Sequence, residues 1–150
     1  MLRIFLIGIG ITAITVVLHA VGTTAWVAYL GRRYPGGKGL ARTRTALAVL
    51  TLTVIIAIGL HAVQISLWAV SYLVMLPSGE LHSLEEALYF SIVTFTSLGY
   101  GDITLSEGWR MLSGIEALSG ILLLGWTTAL LFAVVQRTWK AASSDGSQQQ

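Results

Sequence analysis

The sequence predicts an all-α membrane protein with three transmembrane helices and one short re-entrant helix between the second and third. Three observations predict it. The 150 residues are 55% hydrophobic and only 11% charged, with mean hydropathy +0.77, against about 25% charged residues in soluble domains. Three apolar stretches, residues 4–30, 45–76 and 109–139, each exceed the roughly 20 residues that a span needs. A fourth, Leu84–Phe95, is too short to span and runs into a polar, glycine-punctuated segment ending at Asp102.

The first stretch is uncharged and preceded only by Arg3. It is far longer than the 7–15-residue apolar region of a leader peptide, so residues 1–31 are expected to be a retained span. Residues 32–44 form a basic loop with a Pro35-Gly36-Gly37 turn. The second stretch, 45–76, has no charge apart from His61. At ~1.5 Å per residue it exceeds the ~30 Å hydrocarbon core and should tilt or enter the interfaces. Ser83 followed by Glu85 and Glu86 reads as an N-cap with acidic first-turn residues, so a helix is expected over 84–95. The third stretch, 109–139, carries Arg110 and Arg137 near its ends and Glu116 inside. The polar tail, 140–150, is expected to be disordered.

Charge orients the chain. Arg32, Arg33, Lys38, Arg42, Arg44, Arg137 and Lys140 make seven of nine basic residues that share one side of the membrane if three spans are threaded. The positive-inside rule makes that side cytoplasmic, with the N-terminus outside and the C-terminus inside. Glu80, Glu85, Glu86, Asp102 and Glu107 then fall outside. They either concentrate cations at an entrance or serve as cap and loop residues. The basic loop 32–44 either sets topology alone or also meets anionic lipid headgroups. With no cysteine, disulfides and thiolate metal sites are excluded.

Non-helical backbone at membrane depth is tolerated only where it is buried in protein or lines a water-filled path. Gly99 and Gly101 allow positive φ. Alternating such positions with ordinary residues turns successive carbonyls toward one axis, where they can replace a cation's hydration shell.

Ser97-Leu98-Gly99-Tyr100-Gly101-Asp102, with Leu67-Trp68-Ala69 and Glu116-Ala117-Leu118 in the flanking spans, resembles the pore module of the potassium channel family. The likeness runs from about residue 60 to 137 and in style looks like the small bacterial ion-channel family, with an extra N-terminal span. It implies an outer helix 45–76, a pore helix 84–95, a selectivity filter 96–102 and an inner helix 109–139. It implies K⁺ held by the carbonyls of Ser97, Leu98, Gly99 and Tyr100 and by the Ser97 hydroxyl. One filter per chain implies a homotetramer, because a four-sided cage needs four copies. The implied location is the bacterial inner (plasma) membrane. Beyond K⁺ and membrane lipid, no organic cofactor and no nucleic-acid partner is expected.

Supporting roles follow from the same likeness. Gly101, Asp102, Tyr89 and Thr96 would brace the filter, with a Tyr89–Asp102 hydrogen bond as a strut. Ser97 and Leu98 stand where the family carries Thr and Val, and Val93 where some members carry a carboxylate. Gly120 sits at a hinge position, or else packs tightly on the pore helix. Leu124, Thr128 and Phe132 would face the aqueous cavity, with Phe132 as a constriction, or else form a lipid-facing or packing stripe. His61 and Glu116 are intramembrane ionisable groups, each a functional-site hypothesis by default. They could pair as a proton sensor, or Glu116 could brace the back of the pore helix through Ser or Thr hydroxyls. His19 has no evident partner. Trp26, Tyr29, Trp109 and Trp139 read as interface anchors.

No arginine-repeat voltage sensor, nucleophile triad, metal-ligand set or phosphate loop is present, so an enzyme is not expected. The first reading is a potassium-selective channel. The others are a weakly selective cation channel of the same fold and a non-conducting regulatory membrane subunit. An unlinked regulatory partner is a further option.

Overall fold

The computed structural model describes residues 2–147 apart from Lys38, Ala41 and Ser78, with side chains described to residue 143. Four helices follow in order: α1 Leu2–Arg33, α2 Thr43–Met75, α3 Leu84–Phe95 and α4 Arg110–Ser147, with a 3-10 turn at Pro35–Gly37. No strand occurs among the described residues. α1, α2 and the Arg110–Ser143 part of α4 are each long and apolar enough to cross a membrane. At ~1.5 Å per residue, the 12 residues of α3 are not. Apolar side chains such as Val21, Ile55 and Leu122 stand exposed on the long helices, as expected of helices that are hydrophobic all round. The protein is an integral membrane protein.

Two stretches differ from expectation. Arg32 and Arg33 belong to the last turn of α1 rather than to a loop, where cations complement the negative end of the helix dipole. Lys38 lies outside the described residues. The tail 140–150, expected to be disordered, is helical through Ser147. Ala141 and Ala142 are strong helix formers, and Ala141 is buried on the turn, 3.3 Å from where a Cβ at Gly37 would stand. Residues 148–150 lie outside the description.

The chain divides into two compact units. One comprises Met1–His19 and His61–Leu124. Its core joins Trp68 and Tyr72 of α2, Phe90 and Phe95 of α3, and Leu112 and Leu123 of α4. Tyr72 and Phe90 meet edge to face with ring centroids 5.2 Å apart, a favoured aromatic geometry. Gly8 lets α1 approach α4 closely, since a Cβ there would lie 2.7 Å from Ile115 Cδ1.

The second unit comprises Ala20–Leu60 and Gly125–Gln150, with Trp26, Leu30, Leu40, Val49, Val134 and Ala141 at its core. Trp26 is not the interface anchor expected of it. It is buried, and its Nε1 donates to Thr53 Oγ1 at 3.0 Å, which in turn donates to the Val49 carbonyl at 2.7 Å. An indole N–H buried in apolar surroundings needs such an acceptor. Tyr29 and Trp139 are exposed, and Trp109 is partly buried against the core of the first unit.

Candidate functional site

α3 starts where local chemistry says it should. Ser83 is the N-cap, and its hydroxyl accepts the Glu86 N–H at 3.1 Å. Glu86 Oε2 reaches back to the His82 N–H at 2.6 Å, a variant of the capping box. With Glu85, it places negative charge at the positive end of the helix dipole.

The other end of α3 launches the polar loop. Thr96 is the C-cap, and its hydroxyl donates to the Ile92 carbonyl at 2.7 Å. The Ser97 N–H then bonds the Thr94 carbonyl and the Leu98 N–H bonds the Val93 carbonyl, both at 2.9 Å. This pair of bonds is a Schellman motif, whose residue after the cap takes a left-handed conformation. That residue is Ser97, at φ 58°, the one non-glycine with positive φ among the described residues. Gly99 and Gly101 follow at φ 57° and 78°. Positive φ therefore recurs at every second residue, while Leu98 and Tyr100 between them keep ordinary backbone. Ser97 was expected only as an oxygen donor. Its backbone role has no residue-type signal, because glycine usually fills that position.

Past the glycines, Asp102 Oδ2 accepts the Tyr89 hydroxyl at 2.6 Å, so the structure brings the proposed strut pair together. The Tyr89 hydroxyl, with the backbone N–H groups of Asp102 and Ile103, holds the Asp102 carboxyl below its ordinary range. A second carboxylate ties the flanking loops. Glu80 Oε2 accepts the Ser106 N–H at 3.0 Å, and the bonds from Ser106 lower its pKa. Because the Asp102 pKa is depressed in the fold, its bond contributes stability above the ordinary aspartate pKa, lost as pH falls through the depressed value. Tyr89→Phe removes the donor. The Asp102 titration midpoint, followed by carboxyl NMR in micelles, is expected to rise. An unchanged midpoint would remove Tyr89 from the account.

Behind the loop, α4 touches the end of α3 at Gly120. A Cβ added there would overlap the Phe95 carbonyl oxygen and lie 2.7 Å from its carbonyl carbon. Of the two uses open to Gly120, close packing against α3 is the one the structure displays.

Glu116 and His61 do not pair. Glu116 is fully buried, and both carboxylate oxygens are taken by hydroxyls: Tyr72 Oη donates to Oε2 at 2.6 Å and Ser91 Oγ to Oε1 at 2.5 Å. Ser91 Oγ also lies 3.0 Å from the Ile65 carbonyl. Glu116 thus joins α4 to α2 and to α3. His61 instead bonds Gln64, its Nδ1 3.0 Å from Oε1, and its ring stacks on His19 with centroids 5.4 Å apart. The Gln64 amide nitrogen meets His19 Nδ1 at 3.1 Å and the Thr15 carbonyl at 3.2 Å. His19, for which no partner was foreseen, is therefore a buried member of a polar cluster joining α1 to α2. The His61 ring also tilts against Phe95, at 5.8 Å between centroids. Tyr72 and Ser91 were missed in the sequence, since Glu116 lies 44 and 25 residues away from them; Gln64 was missed too, although His61 stands only three residues before it.

Leu124, Thr128 and Phe132 are exposed on α4, while Val93 is buried behind the loop. Beside the loop lies an open cleft of about 580 Å³, whose lining includes Tyr89, Val93, Thr94, Asp102 and Arg110. No group of three or more His, Cys, Asp or Glu that could hold a metal ion occurs among the described residues.

A family model described as Ion channel matches residues 58–137. Comparison with curated proteins and with solved structures gives no match.

Proposed function

This chain belongs to the ion-channel family built on the two-span pore module, and from that premise we propose that it conducts K⁺ passively as a homotetramer. The observation that carries the reading is the positive φ at Ser97, Gly99 and Gly101, every second residue from the C-cap of α3 onward. In extended backbone successive carbonyls point to opposite sides. Reversing φ at alternate residues lets them point the same way, as a column of cation ligands requires.

In this reading α3 is the pore helix, entering from the outside, and residues 96–102 are the filter. Potassium ions sit between the carbonyls of Ser97, Leu98, Gly99 and Tyr100, with the Ser97 hydroxyl at the inner end. Asp102 and Tyr89 brace the outer end, and Thr96 and Gly101 hold the loop at its two ends. Leu98 and Tyr100 are 54% and 67% exposed, and with the adjoining cleft they form a surface that neighbouring copies would cover. Leu124, Thr128 and Phe132 would line the passage below. The N-terminus lies outside and the C-terminus in the cytoplasm of a bacterial cell.

The reversal potential of the purified protein in liposomes, with K⁺ inside and Na⁺ outside, tests this. A value near the potassium equilibrium potential is expected. Gly101→Ala is expected to abolish the current, because φ 78° is strained for a residue with a Cβ. A value near zero with sustained current would favour the weakly selective reading. Serine at the innermost position motivates that reading, since it lacks the β-branch that stiffens threonine, and Ser97→Thr would then restore discrimination. An intact assembly with no current under any condition would favour a regulatory subunit.

A further inference from the structure

We infer that the cleft between the Pro35–Gly37 turn and the last turns of α4 binds a phosphate group, in the cell the headgroup of an anionic lipid. The cleft lies wholly within the second unit and has a volume of about 470 Å³. One wall is the α4 face bearing Gln136, Arg137 and Lys140; the other is the backbone of Gly36 and Gly37. Those glycines hold φ 60° and 81°. They present main chain with no side chain to fill the space.

Three features point to an anion. Arg137 is fixed in place, its Nη2 donating to the Tyr34 carbonyl at 2.9 Å. That bond uses one of five guanidinium N–H groups, and the rest of the fork suits an oxyanion. Lys140 stands one turn further along the same helix. No carboxylate forms an ion pair with either residue among the described residues. The excess is general, since residues 20–60 and 125–150 carry seven basic residues and one acid, Asp145. Two cations flanking a cavity, one of them tethered and neither in an ion pair among the described residues, attract an anionic ligand.

Depth selects a lipid over a free ion. The apolar surface of α4 gives way to Gln136, Arg137 and Lys140 at the level of Trp139, which is 69% exposed. Exposed tryptophan at such a transition marks the headgroup level. A phosphodiester held by Arg137 and Lys140 would leave its acyl chains free to lie along the apolar helix surface. The site is separate from the filter and does not depend on the conducted ion.

The test is lipid binding by the full-length protein in neutral detergent, read by native mass spectrometry. Phosphatidylglycerol is expected to bind at least about tenfold more tightly than phosphatidylcholine, given roughly 1 kcal/mol per basic residue near an anionic surface. Lys140→Gln and Gln136→Glu should each weaken phosphatidylglycerol binding several-fold and leave phosphatidylcholine unchanged. Neither touches the Tyr34 tether, so loss of fold would not explain the result; Arg137→Gln should weaken it further. Arg42→Gln with Arg44→Gln, outside the cleft lining, should have little effect. Equal losses in that control would show a diffuse basic field and overturn the site. Unchanged binding in Lys140→Gln and Gln136→Glu would also overturn it. Displacement of phosphatidylglycerol by millimolar inorganic phosphate would assign the cleft to a free ion and overturn the lipid reading.

Discussion

In the proposed channel, Gly120→Ala is expected to abolish ion-selective conduction while leaving the chain helical and membrane-inserted. The added methyl group would overlap the Phe95 carbonyl oxygen and stand 2.7 Å from the carbonyl carbon. Phe95 ends α3 and immediately precedes the cap and loop. The obstacle is backbone, which cannot rotate away as a side-chain tip can. Alanine gains about 1 kcal/mol over glycine in a helix interior. Forcing a methyl into a packed site costs about 1–3 kcal/mol, more where nothing yields, so the overlap outweighs the gain. A hinge role makes a different prediction: alanine would stiffen α4 and change open probability but leave the reversal potential alone. Reversal potential and thermal stability of the Gly120→Ala protein in liposomes therefore separate the two. Wild-type selectivity with altered gating would reinstate the hinge.

What was legible in the sequence was legible for local reasons. The three long helices announce themselves because lipid tolerates little charge across 20 or more residues. The start of α3 at Leu84 was readable because its cap, Ser83, is its neighbour and the acids follow at once. Gly99 and Gly101 signalled positive φ by residue type alone. Ser97 adopts the same conformation with no such signal, because the Schellman bonds to Val93 and Thr94 impose it. Trp26 misled for a related reason. Tryptophan near the end of an apolar run reads as an interface residue, and only the fold shows Thr53 beside it.

The buried polar contacts were the least legible. Residue type marks Glu116, His61 and His19 as expensive in a membrane, but not what offsets the expense. Thr15, Gln64 and Ser119 are ordinary residues in apolar runs. Yet Thr15 and Gln64 bond each other, and Thr15 Oγ1 lies 3.4 Å from Ser119 Oγ. These contacts tie the additional N-terminal helix to α2 and α4 through named polar atoms. That gives the first span a structural connection within the unit that holds the candidate filter, which its apolar composition alone did not suggest.

Glu116→Ala is expected to destabilise the protein by about 3 kcal/mol or more, and Glu116→Gln by much less. The carboxylate accepts two hydroxyls in a site closed to water. A buried hydrogen-bonding group left unsatisfied costs about 1–3 kcal/mol. Alanine strands the Tyr72 hydroxyl, while Ser91 keeps the Ile65 carbonyl 3.0 Å away. Truncating the side chain adds the loss of packing around it. Glutamine keeps the shape, leaves an oxygen for one hydroxyl and offers an N–H to the other. The strain in Glu116→Ala should concentrate on Tyr72, so adding Tyr72→Phe should recover part of the lost stability, a coupling that independent sites would not show. Thermal unfolding of five proteins in one detergent, the wild type, Glu116→Ala, Glu116→Gln, Tyr72→Phe and the Glu116→Ala/Tyr72→Phe double variant, gives the ranking. If glutamine and alanine were equally damaging, or if Tyr72→Phe added its own full loss, the carboxylate would not be the brace joining α2 and α3 to α4.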